Sequence, residues 1–128
     1  MNHLIEARGG GLQKLCIDGS ELSDDSFRNF HKFSSLKKLT IERCRKLGPL
    51  GLKSIVRLKC LEWLKLRSAG DLLPQDIIGA MEQSDLQLLA HLDLSQCLNL
   101  DDNSLLAIAK ACPSLTSVRL ERNNTNDR

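Results

Sequence analysis

The sequence predicts an α/β chain wound as a right-handed β-α superhelix, a solenoid with parallel strands on its concave face and helices on its convex face. Three observations predict it. A six-residue apolar pattern recurs five times, beginning at Leu12, Leu36, Leu61, Leu89 and Leu115. The starts are 24, 25, 28 and 26 residues apart, a spacing typical of stacked strand–helix units. Each pattern is followed by a segment whose apolar residues fall three or four apart, as on a helix. Aromatic residues make up 3% of the chain, so leucine fills the same core slot again and again.

The first unit reads Leu12, Leu15, Ile17, and the second Leu36, Leu39, Ile41. The third reads Leu61, Leu64, Leu66, the fourth Leu89, Leu92, Leu94, and the last Leu115, Val118, Leu120. In each, the first apolar residue anchors an entry turn, and the other two alternate with polar residues as in a half-buried strand. Strands are therefore expected near 14–18, 38–42, 63–67, 91–95 and 117–121, forming one parallel sheet in sequence order that buries all fifteen apolar slots together. Three positions after the last apolar residue come Ser20, Cys44, Ala69, Cys97 and Asn123, expected to point inward beneath the turn.

The return segments are read as helices. Leu22, Ser23, Asp24 and Asp25 precede Phe27, Phe30 and Phe33, and Leu100, Asp101 and Asp102 precede Leu105, Ile108, Ala109 and Cys112. Ser and Asp ahead of an apolar run mark a helix start, so both aspartate pairs are read in a cap or helix-dipole role. Pro113 ends the last helix. Gly48 and Pro49 lead into Leu52, Ile55 and Val56, and Pro74 fits the first turn of the longest return, 72–88. Residues 1–11, with Gly9, Gly10 and Gly11, are expected to form a flexible lead-in, and residues 12–128 the repeat domain, four β-α units plus a fifth strand.

The run from Leu92 through Cys97, Leu98, Asp101, Cys112, Pro113 and Leu115 resembles the cysteine-containing subclass of leucine-rich repeats, and the likeness extends over residues 12–123. That subclass is typical of F-box/leucine-rich-repeat proteins, the substrate receptors of cullin–RING ubiquitin ligases. The resemblance implies a cytoplasmic protein–protein interaction module that captures a target. The eleven residues ahead of the first repeat are too few for an F-box, so the ligase adaptor is expected as a partner only if an F-box stands upstream in a longer chain. The repeats are also similar to mitochondrial leucine-rich-repeat assembly factors resembling ATP synthase coupling factor B, which implies the alternative compartment and role.

Chemistry beyond binding finds little support. His3, His31 and His91 lie far apart and outside any metal motif, with His31 read as a surface residue. The five cysteines include no CxxC pair, which points to free thiols in a reducing compartment rather than disulfides or zinc. Cys16 alone takes an outward strand position. No catalytic residue, cofactor or metal is expected. With 18 basic against 16 acidic residues, nucleic acid and anionic membranes are not expected partners, and no apolar run is long enough to span a bilayer.

The strand alternation lays out the concave face in three columns. They are Lys14, Lys38, Trp63, His91, Ser117, then Cys16, Thr40, Lys65, Asp93, Arg119, then Asp18, Glu42, Arg67, Ser95, Glu121. An outward Trp among cations has the composition of an interface hot spot. The expected partner-binding residues are Lys38, Trp63, Lys65, Arg67, His91, Asp93 and Arg119, facing an acidic protein target. Arg43, Arg45, Gln96 and Arg122, in the loops after the strands, are expected to widen the surface.

Overall fold

A computed structural model describes residues 11–69, 72–96 and 100–120. Five strands, β1 (Lys14–Asp18), β2 (Lys38–Glu42), β3 (Trp63–Leu66), β4 (His91–Asp93) and β5 (Ser117–Arg119), form one sheet in sequence order, all parallel. Between them lie helices α1 (Asp24–Phe27), α2 (Pro49–Ile55), α3 (Pro74–Glu82) and α4 (Asp102–Ala111), with a 3-10 turn at Phe30–Lys32 after α1. The molecule is thus a β-α alternation in which each strand pairs with the next.

The register follows the sequence pattern residue by residue. Lys14, Lys38, Trp63, His91 and Ser117 are successive partners, as are Leu15, Leu39, Leu64, Leu92 and Val118. The entries of β2 to β5 are all built the same way. The carbonyl of Gln13 accepts from Lys37 and Lys38, that of Lys37 from Glu62 and Trp63, that of Glu62 from Ala90 and His91, and that of Ala90 from Thr116 and Ser117, all at 2.8–3.2 Å. The leading leucine closes a turn just before, with Leu36, Leu61 and Leu115 N–H donating to the carbonyls of Phe33, Leu58 and Cys112. That turn explains why the first apolar residue recurs although it is not in the strand.

The exit is equally regular. Arg43, Ser68 and Gln96, each two residues past the last apolar slot, have φ of 54°, 62° and 63°. Non-glycine residues adopt this left-handed backbone only where surrounding bonds fix it. Here Cys44 N–H donates to the Arg67 carbonyl and Ser68 N–H to the Ser95 carbonyl, tying each turn to the next unit. Cys44 and Ala69 are buried beneath these turns, and the Cys44 thiol donates to the Arg67 carbonyl at 3.3 Å. Ser20 departs from expectation: it is exposed, because its N–H turns back to Asp18 Oδ1 at 2.9 Å and Gly19 takes the buried place. Cys97 and Asn123 lie outside the described residues.

The apolar sides of the strands and helices meet in one core that includes Leu39, Ile41, Leu64, Leu66 and Leu92, with an enclosed apolar space of only about 20 Å³ between the sheet and α2–α4. The expectation that all fifteen slots are buried fails at the ends. Val118 is 47% exposed, and Leu12, Ile17, Leu115 and Leu120 are half-buried, because a terminal unit has a described neighbour on one side only.

The first return is also not a single helix. Phe27, Phe30 and Phe33 fall every third residue, which matches the three residues per turn of a 3-10 helix better than the 3.6 of an α-helix. The chain makes one α-turn and one 3-10 turn, and the three rings pack tilted and edge-on at centroid distances of 5.6 and 5.5 Å. Ser23, not the following aspartates, is the N-cap, its Oγ accepting from Ser26 N–H. Asp24 instead reaches into the next unit, accepting from Gly48 and Gly51 N–H at 2.8 Å each and from Leu50 at 3.3 Å. Asp25 pairs on the surface with Arg28 at 3.1 Å. Asp101 does cap its own helix, accepting from Ser104 N–H at 2.8 Å.

Candidate binding surface on the open face of the sheet

The helices cover one face of the sheet, and the alternation sends the polar strand residues to the other. Lys38, Trp63 and His91 occupy one row across β2, β3 and β4. Lys38 Nζ stands 4.4 Å from the centroid of the Trp63 ring, and the His91 ring stacks on it at 3.8 Å with a 20° tilt. His91 Nδ1 in turn lies 2.9 Å from Ser117 Oγ. A cation, an indole, an imidazole and a hydroxyl thus form a continuous stack over four strands. Such contacts contribute about 0.5–1.5 kcal/mol each.

Two expectations change here. Trp63 does not stand free in solvent: it is half-buried between Lys38 and His91, because strands roughly 4.8 Å apart bring side chains of one row into contact. Its Nε1 is buried without a hydrogen-bond partner among the described residues. Asp93 is buried, at 4% exposure, and its Oδ1 accepts from Ser95 N–H at 2.9 Å, so its carboxylate serves the turn after β4 rather than an outside partner.

The other expected residues lie on the same face. Lys65 and Arg67 are half-buried and flank Glu42 at 3.8 and 3.9 Å, ion pairs of long reach. Arg119 is exposed in β5. At the sheet edge Arg43 forms an ion pair with Asp18. That guanidinium first, and the Ser20 N–H second, hold the Asp18 carboxyl well below the usual carboxylate range, and the same pair raises Arg43. Acidic groups on this face are therefore engaged by local cations or turns, while Lys14 and Lys38, in the row with Trp63, have no acid in their column. Arg45 and Gln96 lie near the strand exits, and Arg122 and Glu121 fall outside the described residues.

No helix among the described residues is long and apolar enough to cross a membrane, and no three of their His, Cys, Asp and Glu side chains converge as metal ligands would. Cys16 is an exposed free thiol, Cys60 is half-buried, and Cys44 and Cys112 are buried free thiols, with burial pushing the Cys112 thiol up. His31 is exposed, its ring bonded to the Arg28 carbonyl and Ser54 Oγ. A groove of about 440 Å³ opens on the helix side between α3 and α4, lined by Ile78, Met81, Leu106 and Ala107.

Comparison with protein-family models gives no match for this chain, and comparison with solved structures gives none either. The site therefore rests on its own geometry. Overall charge concealed one further feature, an excess of exposed cations at the helix-to-strand junctions, Lys32, Lys37, Arg57 and Lys59. A running count of charge along the chain, rather than its total, exposes it.

Proposed function

We propose that this chain is a leucine-rich-repeat solenoid of the cysteine-containing type and that it works as a protein-binding module, the target-recognition part of an F-box-type ubiquitin ligase receptor. The repeat reading is supported by the identical entry bonds at all four strand-to-strand junctions and by the left-handed turn recurring at Arg43, Ser68 and Gln96. The observation that carries the binding role is the Lys38–Trp63–His91 stack on the face that no helix among the described residues covers. Leu64 and Leu66 supply the helix-side core contacts of β3, so the stack lies outside that core. Aromatic and cationic side chains held rigid in this way bind a partner at little cost in conformational freedom. Lys38, Lys65, Arg67 and Arg119 favour a target with acidic loops.

Quantitative affinity capture with the wild-type chain and with a Lys38→Glu/His91→Glu variant tests the reading. A protein retained by the wild type, lost by the folded variant, and stabilised in cells when the chain is depleted supports it. Equal capture by both would sink the assignment of this face.

A further inference from the structure

The near-neutral total charge hides a strong asymmetry. Residues 28–67 hold twelve of the eighteen Lys and Arg but only two of the sixteen Asp and Glu, Glu42 and Glu62. Four of these cations lie at the helix-to-strand junctions of two adjacent units. Lys32 ends the 3-10 turn, Lys37 immediately precedes β2, Arg57 follows α2, and Lys59 lies in the turn ahead of β3. All four are exposed. They belong to adjacent units, joined where the Lys37 carbonyl accepts from Glu62 and Trp63 N–H at 2.8 and 3.1 Å.

Two acids lie nearby. Glu62 is beside Lys37, and Asp85 is tied through its N–H to the Val56 carbonyl next to Arg57. Among the described residues neither forms an ion pair with any of the four cations, and the ion pairs present involve Arg28, Arg43, Lys65 and Arg67 instead. Helix ends account for part of the pattern, since Lys32 and Arg57 stand near terminal carbonyls, where a cation is favoured by roughly 0.3–1 kcal/mol. Lys37 and Lys59 have no such role. These junctions continue directly into the strand starts, where Lys14 and Lys38 begin the open face and Lys38 covers Trp63.

We infer that this edge, made of Lys32, Lys37, Arg57 and Lys59 with Lys14 and Lys38, binds an acid-rich run of the target polypeptide, which then crosses onto the open face at Trp63. The inference rests on the reading of that face as the target surface. Cations that outnumber the nearby acids raise the potential along one edge and attract a partner carrying successive Asp and Glu. The aromatic residues argue against single-stranded nucleic acid, whose bases stack on exposed rings. Phe27, Phe30 and Phe33 are fully buried, the chain has no Tyr, and both faces of Trp63 are occupied.

The test is fluorescence anisotropy of a labelled oligo-glutamate peptide with the whole chain. Binding should weaken about tenfold as salt rises from roughly 50 to 200 mM, because exposed charges are screened beyond ~8–10 Å. Lys32→Glu/Lys37→Glu/Arg57→Glu/Lys59→Glu should lose about tenfold or more, whereas Lys46→Glu/Lys53→Glu, on the opposite edge and on α2, should change affinity less than about threefold. If the quadruple Glu variant melts without cooperativity, the same four positions changed to Gln provide the comparison. No binding of the peptide, equal losses in the two variants, or tighter binding of a DNA duplex of equal charge overturns the inference. Trp63→Ala separates the two readings. A peptide lost by the edge variant and unaffected by Trp63→Ala upholds the edge and removes the open-face reading, and the reverse result removes the edge.

Discussion

Replacing Asp24 with alanine tests how neighbouring units are locked together. Its carboxylate accepts from Gly48 and Gly51 N–H at 2.8 Å, and Leu50 N–H adds a weaker bond at 3.3 Å. These are the unsatisfied donors at the start of α2, whose N-cap position is Gly48 and offers no side chain. Gly48 and Gly51 are buried, so water is poorly placed to replace the lost acceptor. Losing a helix cap costs about 1 kcal/mol, and leaving buried donors unpaired adds roughly 1–3 kcal/mol. A loss of about 2–4 kcal/mol is expected for Asp24→Ala, read as a lower urea midpoint by circular dichroism. The neighbouring Asp25→Ala removes only an exposed pair with Arg28, for which about 0–0.5 kcal/mol is expected. Equal effects of the two substitutions, or a larger one for Asp25, would refute the idea that Asp24 joins the first unit to the second.

Further outcomes follow from the same structure. A Cβ on Gly51 would lie 2.6 Å from Phe27 Cβ and 2.7 Å from Leu47 Cδ1, so Gly51→Ala should cost about 1–3 kcal/mol by overpacking despite the better helix propensity of alanine, measured by the same urea titration. Asp18 and Asp101 both have folded-state pKa values lowered, the first mainly by Arg43 and the second mainly by the Ser104 N–H. Such groups contribute stability that is present above the ordinary value of 3.8 and is lost as pH falls through the folded value. Urea midpoints should therefore hold from pH 7 to about 5 and decline below about 4, and Asp18→Asn with Asp101→Asn should flatten that decline. In thiol titration of the native protein Cys16 should react first, while the buried Cys44 and Cys112 should react only after denaturant is added.

The sheet is legible in the sequence because strand burial has a period of two and the units recur at 24 to 28 residues. Trp63 pairs with Lys38 and His91 as the alignment of the apolar slots requires. Asp24 was read as a cap for its own helix because a cap and an inter-unit bridge use the same residue type. Only the distance to Gly48, twenty-four residues on, separates them. The first return departs from a single helix because a constant spacing of three, at Phe27, Phe30 and Phe33, is a 3-10 signal that a loose three-or-four pattern passes over. Asp93 and Trp63 show the limit of alternation, which gives the direction of a side chain but not what its neighbours cover. Both point to the open face, yet Asp93 is buried and Trp63 is enclosed by the residues on either side.

The central claim is that the open face, centred on Trp63, holds the target. Titration calorimetry of Trp63→Ala with the captured protein, paired with a thermal melt of the same variant, tests it most directly. Loss of the Lys38 and His91 contacts should lower stability by about 1–2 kcal/mol. Affinity, measured well below both melting temperatures, should fall by about 2 kcal/mol or more, as at an interface hot spot. A lower melting temperature with unchanged affinity would contradict the claim, leaving Trp63 as packing between strands.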